Sequence, residues 1–186
     1  GMLRTLEDAS DGDLVTARAY TNFELVFDYR IEKGGNSGVK YLVRHEWLSP
    51  HWAPDAEPEF RRRQAISAVG YEFQIFDDET LDRKPGWELS ATGALYLLEE
   101  PQNKRMNPPG EWNTARIAVR DGRVEHWLNG AKLLEYELGS KDLLAKVEKT
   151  KFRKVPGYGR RGSGHIVLQH HDSPAWFRNI KIRELP

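Results

Sequence analysis

The 186-residue chain carries 28 Lys+Arg against 28 Asp+Glu, contains no cysteine, and is 39% hydrophobic and 11% aromatic, the proportions of a single globular domain over residues 1–186. Balanced charge supplies no field to draw the chain onto nucleic acid or an anionic membrane, and no apolar run approaches the roughly 20 residues that span a bilayer. The lack of cysteine excludes disulfides, thiolate nucleophiles and thiolate-held zinc or iron–sulfur centres.

The first strong element is 23–31, where every odd position is apolar or aromatic and Glu24, Asp28 and Arg30 fill three of the four even ones. That alternation fits a half-buried strand and not a helix. Similar runs follow at 39–46, 69–76, 94–98, 114–120, 123–128, 131–138, 164–170 and 175–185, with Gly34-Gly35-Asn36, Asp121-Gly122 and Asn129-Gly130 as turn signals. The last two pairs tolerate positive φ and each joins two strand-like runs, so 112–138 reads as a three-strand meander. Only 140–150 has helical character, with Ser140 as N-cap, Asp142 in the first turn and Leu143, Leu144 and Val147 on one face. Many strands without alternating helices predict an all-β, two-sheet antiparallel sandwich of the jelly-roll type.

Two stretches depart from this pattern. Residues 46–64 hold Pro50, Pro54, Pro58 and Arg61-Arg62-Arg63 and read as a long loop. Residues 146–161 carry seven Lys/Arg against Glu148 and read as a solvated excursion, the alternative being the charged rim of a site.

In the strand 70–76, Tyr71, Phe73 and Ile75 share one face while Glu72 and Gln74 occupy the other. The segment 164–172 repeats the arrangement, with Ile166 and Leu168 apolar and His165, Gln169 and His171 opposite. Arg44 lies opposite the row of Val39, Tyr41 and Val43 and can join the same polar surface as a multi-donor fork. Any one of these residues is polar simply because water bathes an outward strand face. Together, Glu, Gln, His and Arg flanked by Trp are what a sheet holding a small carbohydrate needs, because hydroxyls take bidentate polar partners and ring faces pack on aromatics. His126 shares the row of Val124 and Leu128 and reads as a hydrogen-bonded core histidine rather than a catalytic one. Asp77-Asp78-Glu79, Asp82, Glu72 and His170-His171-Asp172 leave room for a divalent cation without matching a ligand code. No phosphate-binding glycine loop, dinucleotide fingerprint or G-x-S-x-G elbow is present, so no cofactor is called for.

Asn36-Ser37-Gly38 with Arg44, the run 70–77, Thr92-Gly93-Ala94-Leu95-Tyr96, Glu111-Trp112-Asn113, His126-Trp127-Leu128-Asn129-Gly130, and Leu168-Gln169-His170-His171 with Phe177-Arg178-Asn179-Ile180 resemble, in order, the 3-keto-disaccharide hydrolase domain family. The resemblance covers about residues 12–185. It implies a concanavalin A-like sandwich, export to the periplasm or beyond, and a further N-terminal segment that is absent or truncated here. It also implies cleavage of 3-keto-glycosides by C2 proton abstraction, elimination and hydration. Under that reading Glu72 and His171 are the acid/base candidates, Arg44 stabilises the C3 oxyanion with or without a divalent cation, and Gln74, Gln169, Asn36 and Asp77 bind substrate. A non-catalytic carbohydrate-binding module remains the alternative, since the fold hosts both.

Overall fold

A computed structural model describes residues 1–5, 12–48, 68–171 and 173–186. Among these, ten strands form two antiparallel sheets. They are β1 (Met2–Arg4), β2 (Leu14–Val15), β3 (Phe23–Ile31), β4 (Asn36–Val43), β5 (Tyr71–Phe76), β6 (Asn113–Arg120), β7 (Arg123–Leu128), β8 (Ala131–Glu137), β9 (His165–Leu168) and β10 (Ala175–Glu184). The six-stranded sheet runs β1-β10-β3-β6-β7-β8 and the four-stranded sheet β2-β9-β4-β5, giving the expected sandwich.

The core follows from the alternation. Phe23, Leu25, Phe27, Tyr29 and Ile31 of β3 are each at most 5% exposed, while the residues between them are half-buried. They meet the inner row of the smaller sheet, with the Phe27 and Phe73 rings edge to face at 6.0 Å. The 112–138 meander is present, and both its turns have left-handed pairs: Asp121 and Gly122 at φ 50° and 85°, Asn129 and Gly130 at 47° and 80°. The expected helix is α1 (Lys141–Val147), capped by the Ser140 hydroxyl, which accepts from Leu143 N–H at 3.2 Å. Among the described residues no helix is long and apolar enough to cross a membrane.

His126 is a core residue, fully buried. Its Nδ1 lies 3.0 Å from the Gly93 carbonyl, which only accepts, so Nδ1 carries the proton and Nε2 accepts from Tyr41 Oη at 2.7 Å. Tyr136 Oη then donates to Tyr41 Oη at 2.6 Å. Burial pushes the His126 pKa down to about 4, so the ring is neutral in this chain of bonds.

The structure differs from the sequence reading in several places. Residues 94–98 form no regular strand, because Leu97 turns at φ 64°; instead they run beside β5 through Gln74 N–H to Ala94 O (3.2 Å), Gly93 N–H to Gln74 O (2.8 Å) and Tyr96 N–H to Glu72 O (3.1 Å). β4 begins three residues before the expected 39 and ends at Val43, with Leu42 at φ 50° and a register shift between Lys40 and Val43. Arg44 therefore stands beyond a bulge, and its strand parity no longer follows that of Lys40. The basic stretch 146–161 is anchored rather than free. Phe152, Val155 and Tyr158 are buried, and the Phe152 and Tyr158 rings stack at 4.4 Å. The expected loop 46–64 lies, beyond Leu48, outside the described residues.

Candidate active site

Register decides which side chains share the outward face of the four-stranded sheet. Directly paired residues point the same way. The pairs Asn36 with Phe76, Gly38 with Gln74, and Lys40 with both Glu72 and Val167 therefore form one surface, and Gln169, two residues past Val167, joins it. The alternate pairs, Ser37 with Ile75, Val39 with Phe73 and Tyr41 with Tyr71, face the core.

Glu72 sits at the centre of this surface yet is only 7% exposed. Its side chain lies across β4 at Gly38, where a Cβ would stand 2.3 Å from Glu72 Oε1 and 3.0 Å from Cδ. Any side chain at 38 would push the carboxylate aside. Gln169 is fixed through its backbone, its N–H donating to Gly38 O (2.9 Å) and its carbonyl accepting from the Ser37 hydroxyl (2.8 Å). The amide orientation that satisfies its neighbours has Gln169 Nε2 donating to Glu72 Oε1 and Oε1 accepting from Lys40 Nζ, both at 3.3 Å. Lys40 Nζ in turn lies 3.2 Å from Asp13 Oδ2, the two side chains being 3% and 4% exposed.

The electrostatics follow. Burial raises the Glu72 pKa above the ordinary carboxylate value; the Lys40 and Lys151 charges oppose this and Asp13 adds to it. Lys151 reaches over the Tyr96 ring at 5.1 Å and the Phe152 ring at 5.5 Å. Its residue surface is largely exposed, but packing of the ammonium lowers its pKa, with the Glu72 charge opposing and the Lys40 charge adding to the effect. Burial and the Glu72 charge both raise the pKa of Tyr96. Glu72 is thus a buried carboxyl group with raised proton affinity, set beside an amide and within the field of two ammonium groups, which is the kind of group that proton transfer requires.

The sequence candidates divide. Glu72, Gln74, Gln169 and Asn36 share the face. Gln74 Oε1 accepts from Ile75 N–H at 3.0 Å, which leaves its amide nitrogen to donate. Asn36 Oδ1 is buried with no hydrogen-bond partner among the described residues. His171 is exposed two residues beyond Gln169, and no described contact joins it to Glu72. Arg44 is placed elsewhere: its guanidinium lies over Trp47 at 4.9 Å and donates to Gly157 O and Arg161 O, both at 3.3 Å. Asp77 is fully buried, its carboxylate accepting from Gly34 N–H (2.8 Å) and Glu79 N–H (3.2 Å), so it fastens the β3–β4 turn. Asp78 is likewise engaged, by Thr92 N–H (2.8 Å) and Lys104. Among the described residues no group of three or more His, Asp or Glu is placed to hold a metal ion.

Sequence reasoning passed over Asp13, Lys40 and Tyr96 and reached Lys151 only as one of the basic residues of 146–161, whose alternative reading was the rim of a site. Lys40 had a signal, since it lies two residues from Gly38 on the even row of its strand. The other three reach the site only through tertiary contacts.

Comparison with known proteins gives a consistent picture. A family model described as 3-keto-alpha-glucoside-1,2-lyase-like domain matches residues 1–183. A 3-keto-disaccharide hydrolase of Bacteroides thetaiotaomicron is 35% identical over 194 aligned residues, covering 96% of this chain; the chain spans 64% of that relative's length. A crystal structure of a candidate glycosyl hydrolase from Parabacteroides distasonis ATCC 8503 superposes with a TM-score of 0.75 at 33% identity, covering 94% of this chain and 74% of the other. The carbohydrate binding module CBM66 of Bacillus subtilis shares the fold, with a TM-score of 0.52 at 12% identity over 99% of this chain and 96% of its own.

Proposed function

The chain belongs to the family of 3-keto-alpha-glucoside-1,2-lyase-like domains, and from that premise we propose that it cleaves the glycosidic bond of 3-keto-glycosides on the outward face of the four-stranded sheet. The observation that carries this reading is Glu72: one carboxyl group, 7% exposed, seated over Gly38 and held by Gln169. Conventional glycosidases need two carboxylates flanking the bond. Asp13, the other acid in this cluster, is engaged by Lys40 and two backbone N–H groups.

A ketone at C3 makes one carboxylate sufficient. The carbonyl acidifies the C2 proton. Glu72 removes it, the electron pair forms the enolate of C3, and the aglycone oxygen leaves C1 with a proton as the C1–C2 double bond forms. Water then adds at C1 and a proton returns to C2. His171, at the exposed end of the Gln169 segment, supplies the proton to the departing oxygen. Gln74, Gln169 and Asn36 share this face and orient hydroxyls. The contacts of Arg44 and Asp77 tie them to the scaffold, so stabilisation of the developing charge falls to Lys40 and Lys151, whose charges act on Glu72.

The test is incubation of the chain with a chromogenic 3-keto-glucoside. Release of the aglycone, lost in Glu72→Gln, is the expected result. Saturable sugar binding with no release at any pH would replace this reading with a carbohydrate-binding module.

A further inference from the structure

Beneath the site lies a charge arrangement of which the reaction scheme uses only the Lys40 field. Asp13, just ahead of β2, receives three donors: Lys40 Nζ at 3.2 Å, Ala68 N–H at 3.1 Å and His170 N–H at 3.0 Å. One buried carboxylate thus fastens three segments distant in sequence, among them the backbone beside Gln169. Lys40 contacts both this carboxylate and the Gln169 amide, and the same amide contacts Glu72. The sequence of groups is acid, base, amide, acid, with Asp13, Lys40 and Glu72 all at most 7% exposed.

A clamp for three segments needs only hydrogen-bond donors and an acceptor. A buried ammonium is a costly way to supply them, because its desolvation is offset only by close pairing. Its position one amide away from Glu72 gives it a second consequence. We propose that Asp13 and Lys40 are positioning residues for Glu72: Lys40 orients Gln169 against the Glu72 carboxylate, and Asp13 sets how much of the Lys40 charge Glu72 experiences. This rests on the reading of Glu72 as the proton-transfer group and deepens it, since it assigns to both residues the holding and tuning of that group.

The groups that face Glu72 act with defined signs. Lys40 from β4 and Lys151 from the 151–154 turn favour its ionised form, and Asp13 favours the protonated form. Tyr96, beside β5, and Tyr158, behind Phe152, also feel its charge. Removing Asp13 takes away a charge that favours the protonated form of Glu72, and removing Lys40 takes away one that favours the ionised form. The two deletions act in opposite directions. A purely structural clamp has no such antisymmetry, because loss of either partner would loosen the same contacts.

The experiment is a carboxyl-carbon NMR titration of the full chain, with the Glu72 resonance identified by its loss in Glu72→Gln and folding monitored by amide spectra. In Asp13→Asn the Glu72 midpoint moves to lower pH, and in Lys40→Met it moves to higher pH. Unmoved midpoints, or movement of both in one direction, would overturn the proposal. If either variant fails to fold, Gln169→Leu replaces it: the ion pair stays intact, the carboxylate loses a donor, and the midpoint rises. An unchanged midpoint there would equally overturn it. Turnover of the 3-keto-glucoside by the unaltered chain is followed in parallel, so opposite shifts without any aglycone release would sink the reaction and leave the positioning pair standing.

Discussion

The outward faces of the two sheets carry the same residue types and treat them differently. On the six-stranded sheet Arg116 bridges Glu24 (2.9 Å) and Glu125 (3.3 Å), and Lys132 meets Glu135 (3.0 Å), with side chains 20% to 43% exposed. These are cross-strand ion pairs in water, each contributing little. On the four-stranded sheet Lys40, Asp13 and Glu72 are at most 7% exposed, and one amide stands between Glu72 and the Lys40 ammonium. The first face is neutralised surface. The second keeps a buried acid incompletely compensated, an arrangement costly for folding and useful for proton transfer.

The largest expected effect lies between the faces. Phe73, on the row opposite Glu72, is fully buried against Phe27 and His126. Phe73→Ala should cost roughly 3 to 5 kcal/mol in denaturant unfolding. Next comes His126. Its folded pKa of about 4 lies below the ordinary 6.5, so between those values the unfolded chain binds a proton that the folded chain refuses. Stability should be intact above pH 6.5 and fall by roughly 3 kcal/mol as pH drops to 4, about 1.4 kcal/mol for each unit of depression. Unfolding curves across that window would show it.

Glu72→Gln should lower turnover of a 3-keto-glycoside by about 10²-fold, near 2.7 kcal/mol of barrier, while the unfolding midpoint is retained. Glu125→Gln on the other face should leave turnover within about twofold. Gly38→Ala tests the seat beneath Glu72, since its Cβ would lie 2.3 Å from Oε1. The carboxylate must shift, and a loss of about tenfold in kcat is expected from steady-state kinetics. At the small end, Arg123→Met breaks a pair with Glu135 whose arginine side chain is 64% exposed. It should leave the thermal unfolding midpoint essentially where it is.

Alternation and turn chemistry made the sandwich legible in the sequence. The odd positions of 23–31 and the two left-handed pairs at 121–122 and 129–130 carry local information that the tertiary structure does not override. β1 and β2 were not legible, being three and two residues long and defined by their partners β10 and β9. The site was half legible. Glu72, Gln74 and Gln169 follow from strand parity, but Arg44 does not, because the bulge at Leu42 resets parity before it. Asp77 looked like a ligand and is a turn acceptor, a distinction that rests on the backbone N–H groups of Gly34 and Glu79. Asp13, 27 residues from Lys40 in sequence, enters only because β2 lies beside β9.

The most direct test of the account follows the hydrogen at C2. Cleavage of a 3-keto-glucoside is run in D2O beside an enzyme-free sample that records spontaneous enolisation, and the product is read by NMR. Elimination followed by hydration predicts one solvent deuterium at C2 of every product molecule, with an unoxidised glucoside left intact. Cleavage with the original C2 hydrogen retained, or equal cleavage of the unoxidised glucoside, would contradict proton abstraction by Glu72.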